Sequence, residues 1–375
     1  MRIVLAFDKF KGSATAQRLN DAARQALNIK GGLDVECVPV ADGGDGTVAV
    51  LASARKGQWV TMSAPGPLLS MPPVNASYFL CDDGTALIEV AAASGLALLA
   101  DGQRDPLRVS TLGTGLMMRD AMERGSRHIV LGMGGSVTSD AGMGILCALG
   151  AEFLNAEGRH LFPCGASLNE IGQVVTAGIP QEVCETRFTL LADVDNPLCG
   201  ERGTASVFAP QKGADPEQVR QLEEGMCRVA DIVGEDIALL AGCGAAGGIP
   251  ALMLHLLNCE LIPGAPFVLA RNGLMEALDN ADLVITGEGR LDRQTFMGKG
   301  PGCVISEAHE RGVPVAAVCG LIADDFNRSE AGLYDAVAVS DGLPSDVAMD
   351  ADGTLERVSE AVLGIVSHFI DETNI

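Results

Sequence analysis

Short apolar runs that stop at charged, glycine-rich turns dominate both ends of the chain. Ile3-Val4-Leu5-Ala6-Phe7 ends at Asp8 and predicts a strand buried on both faces. Ala16, Leu19, Ala22, Ala23, Ala26 and Leu27 then recur at helical spacing and predict a helix over 15–28. A second strand is predicted over 35–40, and Ala41-Asp42-Gly43-Gly44-Asp45-Gly46 leads into a helix through Val48, Leu51 and Ala52. The last third repeats the alternation. Strands are predicted over 283–286, 313–318 and 336–339, with a helix over 301–311. A final helix carries Leu355, Val358, Ala361, Val362, Ile365, Val366 and Phe369 along one face. Strand, polar loop and helix in repeating order predict an α/β fold with a doubly wound parallel sheet.

The middle of the chain is patterned differently. Apolar runs at 77–80 and 85–90 flank Cys81-Asp82-Asp83-Gly84, and Asp-Gly favours a tight turn between antiparallel strands. Helices are predicted over 111–125 and from about 140 to 149, and strands over 128–131 and 188–192. Residues 205–208 read as short and β-like. Asp215-Pro216-Glu217-Gln218 combines an N-cap, a first-turn proline and an N3 glutamine, which predicts a helix running to about Val233. Hairpins in the middle and regular β/α alternation at both ends predict a discontinuous first domain, 1–64 and 265–375, with a second α/β domain inserted over 65–264.

Composition narrows the function classes. At 375 residues the chain exceeds one ordinary core, and 47% hydrophobic with 20% charged content provides for a buried interior. Aromatics are only 4% while glycines number 46, which suits tightly turned α/β layers better than a base-stacking surface. A net charge of −23 opposes binding to nucleic acid or an anionic membrane. The N-terminal apolar run is directly followed by charges, as in a first strand and unlike a signal peptide. The longest uncharged run, 237–254, contains Gly242, Gly244, Gly247, Gly248 and Pro250 and reads as a buried, glycine-rich helix start. A soluble cytoplasmic protein is therefore expected. Eleven cysteines without a C-x-x-C spacing read as reduced, buried small hydrophobes, and neither as a disulfide framework nor as a zinc site.

Five loops share one recipe of strand end, glycines and charges: 8–13, 42–46, 132–140, 193–196 and 287–299. Ligands of open α/β sheets bind at such strand ends. Lys11-Gly12-Ser13 can place an ammonium, a backbone N–H and a hydroxyl at a helix start, a seat for an oxyanion, with Ser13 or Thr15 as a plain N-cap the competing account. Gly134, Gly135 and Ser136 offer the same potential but lack the spacing of a dinucleotide fingerprint. Lys299 lies between two glycines, yet Arg293 stands where a Walker loop needs glycine and Gly300 where it needs Ser or Thr. No H-E-x-x-H or G-x-S-x-G occurs. Asp193 and Asp195, and likewise Asp42 and Asp45, could hold a metal or a hydroxyl, with plain turn chemistry as the competing account. Glu288 and Asp292 bracket Arg290. Hard carboxylates, basic groups and glycine loops without a P-loop point to Mg²⁺-assisted phosphoryl transfer on another scaffold.

Long segments of the chain carry a resemblance in order: FDKFKGS from Phe7, VPVADGGDGT from Val38, EVAAASGLALL from Glu89, STLGTG from Ser110 and GMGGSVTSDAGMGILCALGA from Gly132. ADVDNPLCGERGTASVFAPQKGA from Ala192, GCGAAGGIPA from Gly242 and ADLVITGEGRLDRQT from Ala281 continue it. On these motifs the chain resembles the type 1 glycerate kinase family from end to end. The resemblance implies transfer of the ATP γ-phosphoryl group to D-glycerate, giving 2-phosphoglycerate as in bacterial members. It implies a flavodoxin-like discontinuous domain, a different α/β domain inserted, and a site in the cleft between them. Under it, Lys11 and Arg290 would meet the glycerate carboxylate, and Asp42, Asp193 or Asp195 would orient the acceptor hydroxyl. Glu288 or Asp292 would hold Mg²⁺, and Ser13, Gly134, Gly135, Ser136 and Lys299 would meet phosphates. The chain departs from the family at Lys9, where the first loop usually reads Pro-Asp-Ser-Phe-Lys-Gly-Ser, and at Ser139, where Asn is usual. A kinase of a related hydroxy acid, phosphorylation at O3 and a non-catalytic regulator are the alternatives. No motif speaks to oligomeric state.

Overall fold

A computed structural model describes residues 1–296, 298–329 and 331–373. The chain divides into two compact units, one of Met1–Asp42, Ala49–Ala54 and Gly264 onward, the other of Gly43–Val48 and Arg55–Pro263. The chain passes from one unit to the other at Gly43, Ala49, Arg55 and Gly264.

The first unit is built on five parallel strands in the spatial order Asp335–Ala338, Val315–Cys319, Leu283–Gly287, Arg2–Phe7, Asp34–Cys37. Numbered within the unit this is 2-1-3-4-5, the flavodoxin-like order. Side chains alternate across a strand, so a run that is apolar throughout needs cover on both faces. Val4, Ala6, Val284, Val315 and Ala317 pack on one side with Val304 and Ile305 of the Gly300–Glu310 helix. Ile3, Leu5, Phe7, Leu283, Ile285 and Val318 pack on the other. There they meet Leu19, Ala23 and Leu27 of Ala16–Lys30 and Val358, Val362 and Phe369 of Ala351–Thr373. The Thr15 side chain caps the first of these helices by accepting from the Arg18 N–H.

The second unit holds a six-stranded mixed sheet in the order Cys259–Pro263, Arg187–Ala192, His128–Gly132, Thr85–Glu89, Val74–Cys81, Gly57–Ala64. The first four strands are parallel to one another and the last two join antiparallel. Gly84 takes the left-handed conformation, φ 83°, that the hairpin turn requires. The outer strand Gly57–Ala64 had no sequence expectation. Its Gln58, Thr61 and Ser63 interrupt the apolar pattern, and it is recognised as a strand only through its pairing with Val74–Cys81. The Pro216–Val233 helix forms as expected, with Asp215 and Gln218 completing a capping box.

One expectation is corrected. Residues 205–208 are not a strand but lie in a short helix, Thr204–Phe208. The Val207 N–H donates to Gly203 O and the Ala209 N–H to Ala205 O, a four-residue repeat. A short apolar run has no periodicity that separates strand from helix, and here the helix buries Ala205 while leaving Val207 exposed. The Met143–Ala148 helix also starts later than 140, because Ala141 and Gly142 are left-handed. Among the described residues no helix is long and apolar enough to cross a membrane.

Candidate active site

In a 2-1-3-4-5 sheet the chain reverses its direction of build-out between the first and third strands, which opens a crevice at their C-terminal ends. In this protein those are Arg2–Phe7 and Leu283–Gly287, and the residues that follow are Asp8 and Glu288. Register places Phe7 beside Gly287, and the Asp8 N–H donates to Gly287 O at 2.9 Å. Both carboxylates are buried, 4% exposed for Asp8 and 8% for Glu288. Lys9 Nζ stands 3.9 Å from Asp8 Oδ1 and 3.5 Å from Asp42 Oδ1. Thr295 Oγ1 donates to Glu288 Oε1 at 2.6 Å, and Lys299 Nζ stands 3.8 Å from Oε2. A Cβ at Gly300 would lie 3.5 Å from Asp8 Oδ2, so the start of the Gly300–Glu310 helix adjoins the same carboxylate.

Burial pushes the Asp8 carboxyl up to about 7; the Lys9 ammonium opposes this, and the Asp42 and Glu288 charges add to it. Glu288 is also raised by burial, against the Thr295 hydroxyl and Lys299. Carboxylates held together at such a cost, on a strand-end crevice, make this the candidate functional site.

Asp42 and Lys299 join this cluster, and the Asp292 charge also raises Glu288, while among the described residues Lys11, Ser13 and Arg290 make no hydrogen bond or ion pair with it. The Asp292 carboxylate accepts the Gln294 N–H at 2.8 Å and its N–H donates to Thr295 Oγ1 at 3.2 Å, so it shapes the turn that holds Thr295. Arg290 is exposed and lies 3.4 Å from Asp292. Lys11 is exposed on the first loop. Ser13 Oγ is bonded to Thr354 Oγ1 at 2.7 Å. Beside the loop, a cavity of ≈ 210 Å³ is lined by Arg293, Phe296, Asp325, Phe326, Asn327 and Ala331. The Phe296 and Phe326 rings stack with centroids 6.0 Å apart.

In the second unit, Gly134 and Gly135 pack against Gly44 and Asp45 so closely that a Cβ at either would overlap them. Ser136 Oγ receives a hydrogen bond at 3.1 Å from Lys212 Nζ, which also donates to Thr138 O at 2.7 Å. Lys212 is 3% exposed. Asp140 is fully buried and accepts from the Thr111 N–H and Oγ1, both at 2.8 Å, and from the Gly142 and Gly144 N–H groups, both at 3.2 Å. Asp45 Oδ1, Thr138 Oγ1 and Ser139 Oγ are buried without hydrogen-bond partners. Ala141 and Ala246 adopt left-handed φ angles of 51° and 50°, a strain that proteins concentrate at working loops. Asp193 and Asp195 are both exposed, and Arg202 Nη2 holds both oxygens of Asp195 at 3.0 Å.

Three residues outside the sequence candidates thus stand out: Asp8, Lys9 and Lys212. Lys212 lies within APQKGA, but a lone lysine between Gln211 and Gly213 carries no local sign of burial. Burial pushes its ammonium down from 10.5 to about 7, with Asp140 pulling the other way. Between those values the unfolded chain binds the extra proton, so Lys212 contributes stability that rises with pH from about 7 to 10.5. Urea melts of the wild type and of Lys212→Met at pH 7, 8.5 and 10 should show the difference moving toward the wild type as pH rises. A difference independent of pH would mean the ammonium is hydrated in solution.

A carboxylate–lysine cluster at the switch point of a doubly wound α/β unit, with no P-loop in the sequence, is the place and the chemistry of a small-ligand site. The family model described as "Glycerate kinase family" matches residues 3–367. The chain is 36% identical to glycerate kinase of Halalkalibacterium halodurans, over 99% of each chain. It is 37% identical to glycerate 2-kinase of Escherichia coli K12, over 87% of this chain and 86% of that one. A crystal structure assigned to glycerate kinase 2 of Salmonella typhimurium LT2 superposes with a TM-score of 0.81 at 35% identity, covering 98% of this chain and 99% of the other. The chain belongs to the glycerate kinase family.

Proposed function

We propose that the protein transfers the γ-phosphoryl group of ATP to the 2-hydroxyl of D-glycerate in the presence of Mg²⁺. The observation that carries this reading is the cluster of Asp8, Asp42 and Glu288 with Lys9 and Lys299 at the ends of the central strands. Carboxylates are the hard oxygen donors that Mg²⁺ selects; burial, with the neighbouring carboxylates adding to it, raises Asp8 and Glu288, and a divalent cation would offset that cost. Asp8 and Glu288 would hold Mg²⁺, which when bound neutralises charge on the transferring phosphoryl group.

The remaining roles follow from exposure and partners. Lys299, at the start of the Gly300–Glu310 helix, faces a phosphate while keeping Glu288 in place. Asp42 orients the glycerate hydroxyl and accepts its proton, a role that suits it better than Asp195, which is occupied by Arg202. Lys11 and Arg290, both exposed, reach the substrate carboxylate. Arg293 and the rings of Phe296 and Phe326 offer the nucleotide an apolar face beside a positive charge. Taken by itself, the second unit holds the buried ammonium of Lys212, with Ser136 and the unpartnered hydroxyls of Thr138 and Ser139, a set of donors suited to an anionic oxygen. The occurrence of glycerate 2-kinase among the relatives supports O2 as the acceptor.

Phosphorus NMR of a reaction containing ATP, Mg²⁺ and D-glycerate tests substrate and regiochemistry together. The expected spectrum shows the ATP γ resonance replaced by that of 2-phosphoglycerate. A 3-phosphoglycerate resonance, or consumption of ATP only with another hydroxy acid, would overturn the assignment.

A further inference from the structure

The spacing of the eleven cysteines along the chain argues against a metal site, but the fold brings two of them together with a carboxylate. Cys199 lies in the loop after the Arg187–Ala192 strand, and Cys227 lies on the Pro216–Val233 helix one turn beyond Glu223. The i, i+4 spacing sets Glu223 and Cys227 on one face of that helix. Cys199 Sγ, Cys227 Sγ and a carboxylate oxygen of Glu223 all lie within 4.8 Å of one another. The Glu223 carboxylate is held by the Gly200 N–H, which donates to Oε1. Its other oxygen, Oε2, is buried with no hydrogen-bond partner. A buried carboxylate oxygen without a donor is costly, and in native structures it usually signals a missing ion or water.

We propose that Cys199, Glu223 and Cys227 form a binding site for a thiophilic divalent cation of the zinc class. Two thiolates and a carboxylate supply three ligands of a tetrahedral set, and water takes the fourth position on the side where Cys227 is exposed. Soft sulfur ligands favour Zn²⁺ over Mg²⁺, so the site is chemically separate from the all-oxygen cluster of Asp8 and Glu288. Each thiol releases its proton to solvent as its sulfur binds, and the oxidation state of the metal does not change. A bound ion would pin the 193–203 loop to the helix through Cys199.

Cobalt titration of the full-length, fully reduced protein tests this without recourse to activity. Co²⁺ should produce a sulfur-to-metal charge-transfer band in the near ultraviolet that saturates at one equivalent and is displaced by one equivalent of Zn²⁺. Cys227→Ser, at an exposed position, should abolish the band while circular dichroism shows the fold intact, and Cys199→Ser should do the same. Glu223→Gln should weaken Co²⁺ binding by roughly tenfold or more. Absence of the band in the wild type, its survival in both serine variants, or loss of both thiols to a Cys199–Cys227 disulfide under reducing conditions would overturn the proposal.

Discussion

Glu288→Gln is expected to lower kcat for glycerate phosphorylation by roughly a hundredfold or more, while leaving the protein folded. Glutamine has the shape of glutamate and can still accept the Thr295 hydroxyl through its amide oxygen, so the turn at 292–295 keeps its anchor. What disappears is the negative charge. Lys299, 3.8 Å from Oε2, would then face an amide NH₂ or carbonyl in place of a carboxylate, and the cluster would lose one of its hard oxygen ligands. The effect should fall on kcat and on the Mg²⁺ concentration needed for half-maximal rate, because charge neutralisation matters most as the phosphoryl group leaves ATP. Steady-state rates across a Mg²⁺ series, beside thermal melts of both proteins, separate this from unfolding. A kcat within about threefold of wild type would remove Glu288 from the proposed Mg²⁺ ligands.

Asp140→Ala should destabilise the chain by about 3–5 kcal/mol. The carboxylate is completely buried, and it satisfies the N–H groups of Thr111, Gly142 and Gly144 as well as the Thr111 hydroxyl. Burial pushes its pKa up, and the four donors oppose this by favouring the ionised form. Truncation strands three backbone donors in the protein interior. Thr111 Oγ1 also accepts the Ile145 N–H at 3.0 Å, so loosening it disturbs the start of the Met143–Ala148 helix. The buried Lys212 loses an opposite charge as well. Asp140→Asn keeps one acceptor and should cost less than alanine. Urea unfolding gives both values, and a loss below about 1 kcal/mol for alanine would show that water replaces the carboxylate.

Legibility in the sequence tracked how local each signal was. The strands at 2–7 and 283–287 announce themselves as unbroken apolar runs because helices cover both faces of the sheet. The hairpin around Gly84 and the capped helix at 216–233 are written in consecutive residues. The Gly57–Ala64 strand lies at a sheet edge, where polar residues interrupt its pattern, and the Thr204–Phe208 helix is shorter than the period that would identify it. The candidate site divides in the same way. Glu288 and Asp292 sit four residues apart and look equivalent on paper; only the fold shows one turned into the carboxylate cluster and the other turned into its own loop. Lys212 and Asp8 owe their character to burial, which depends on what packs around them. The meeting of Cys199 with Cys227 likewise requires a loop and a helix to be brought together first.

The discontinuous first unit constrains how the molecule comes into being. Its central strand pair joins residues about 280 positions apart, as the bond from the Arg2 N–H to Asp282 records. During synthesis, the Leu283–Gly287 strand that pairs with Arg2–Phe7 is made only after the whole of 55–263. Until then the edge of Arg2–Phe7 that faces away from Asp34–Cys37 lacks its partner along the apolar run Ile3–Phe7, the kind of segment that chaperones bind and that aggregates if left alone. Early folding of the inserted unit shortens the effective loop between Arg2 and Asp282 and lowers the entropy needed to close it. Asp8 and Glu288 therefore come together only after the segment beyond 263 has been made, and the carboxylate cluster they form should appear only then.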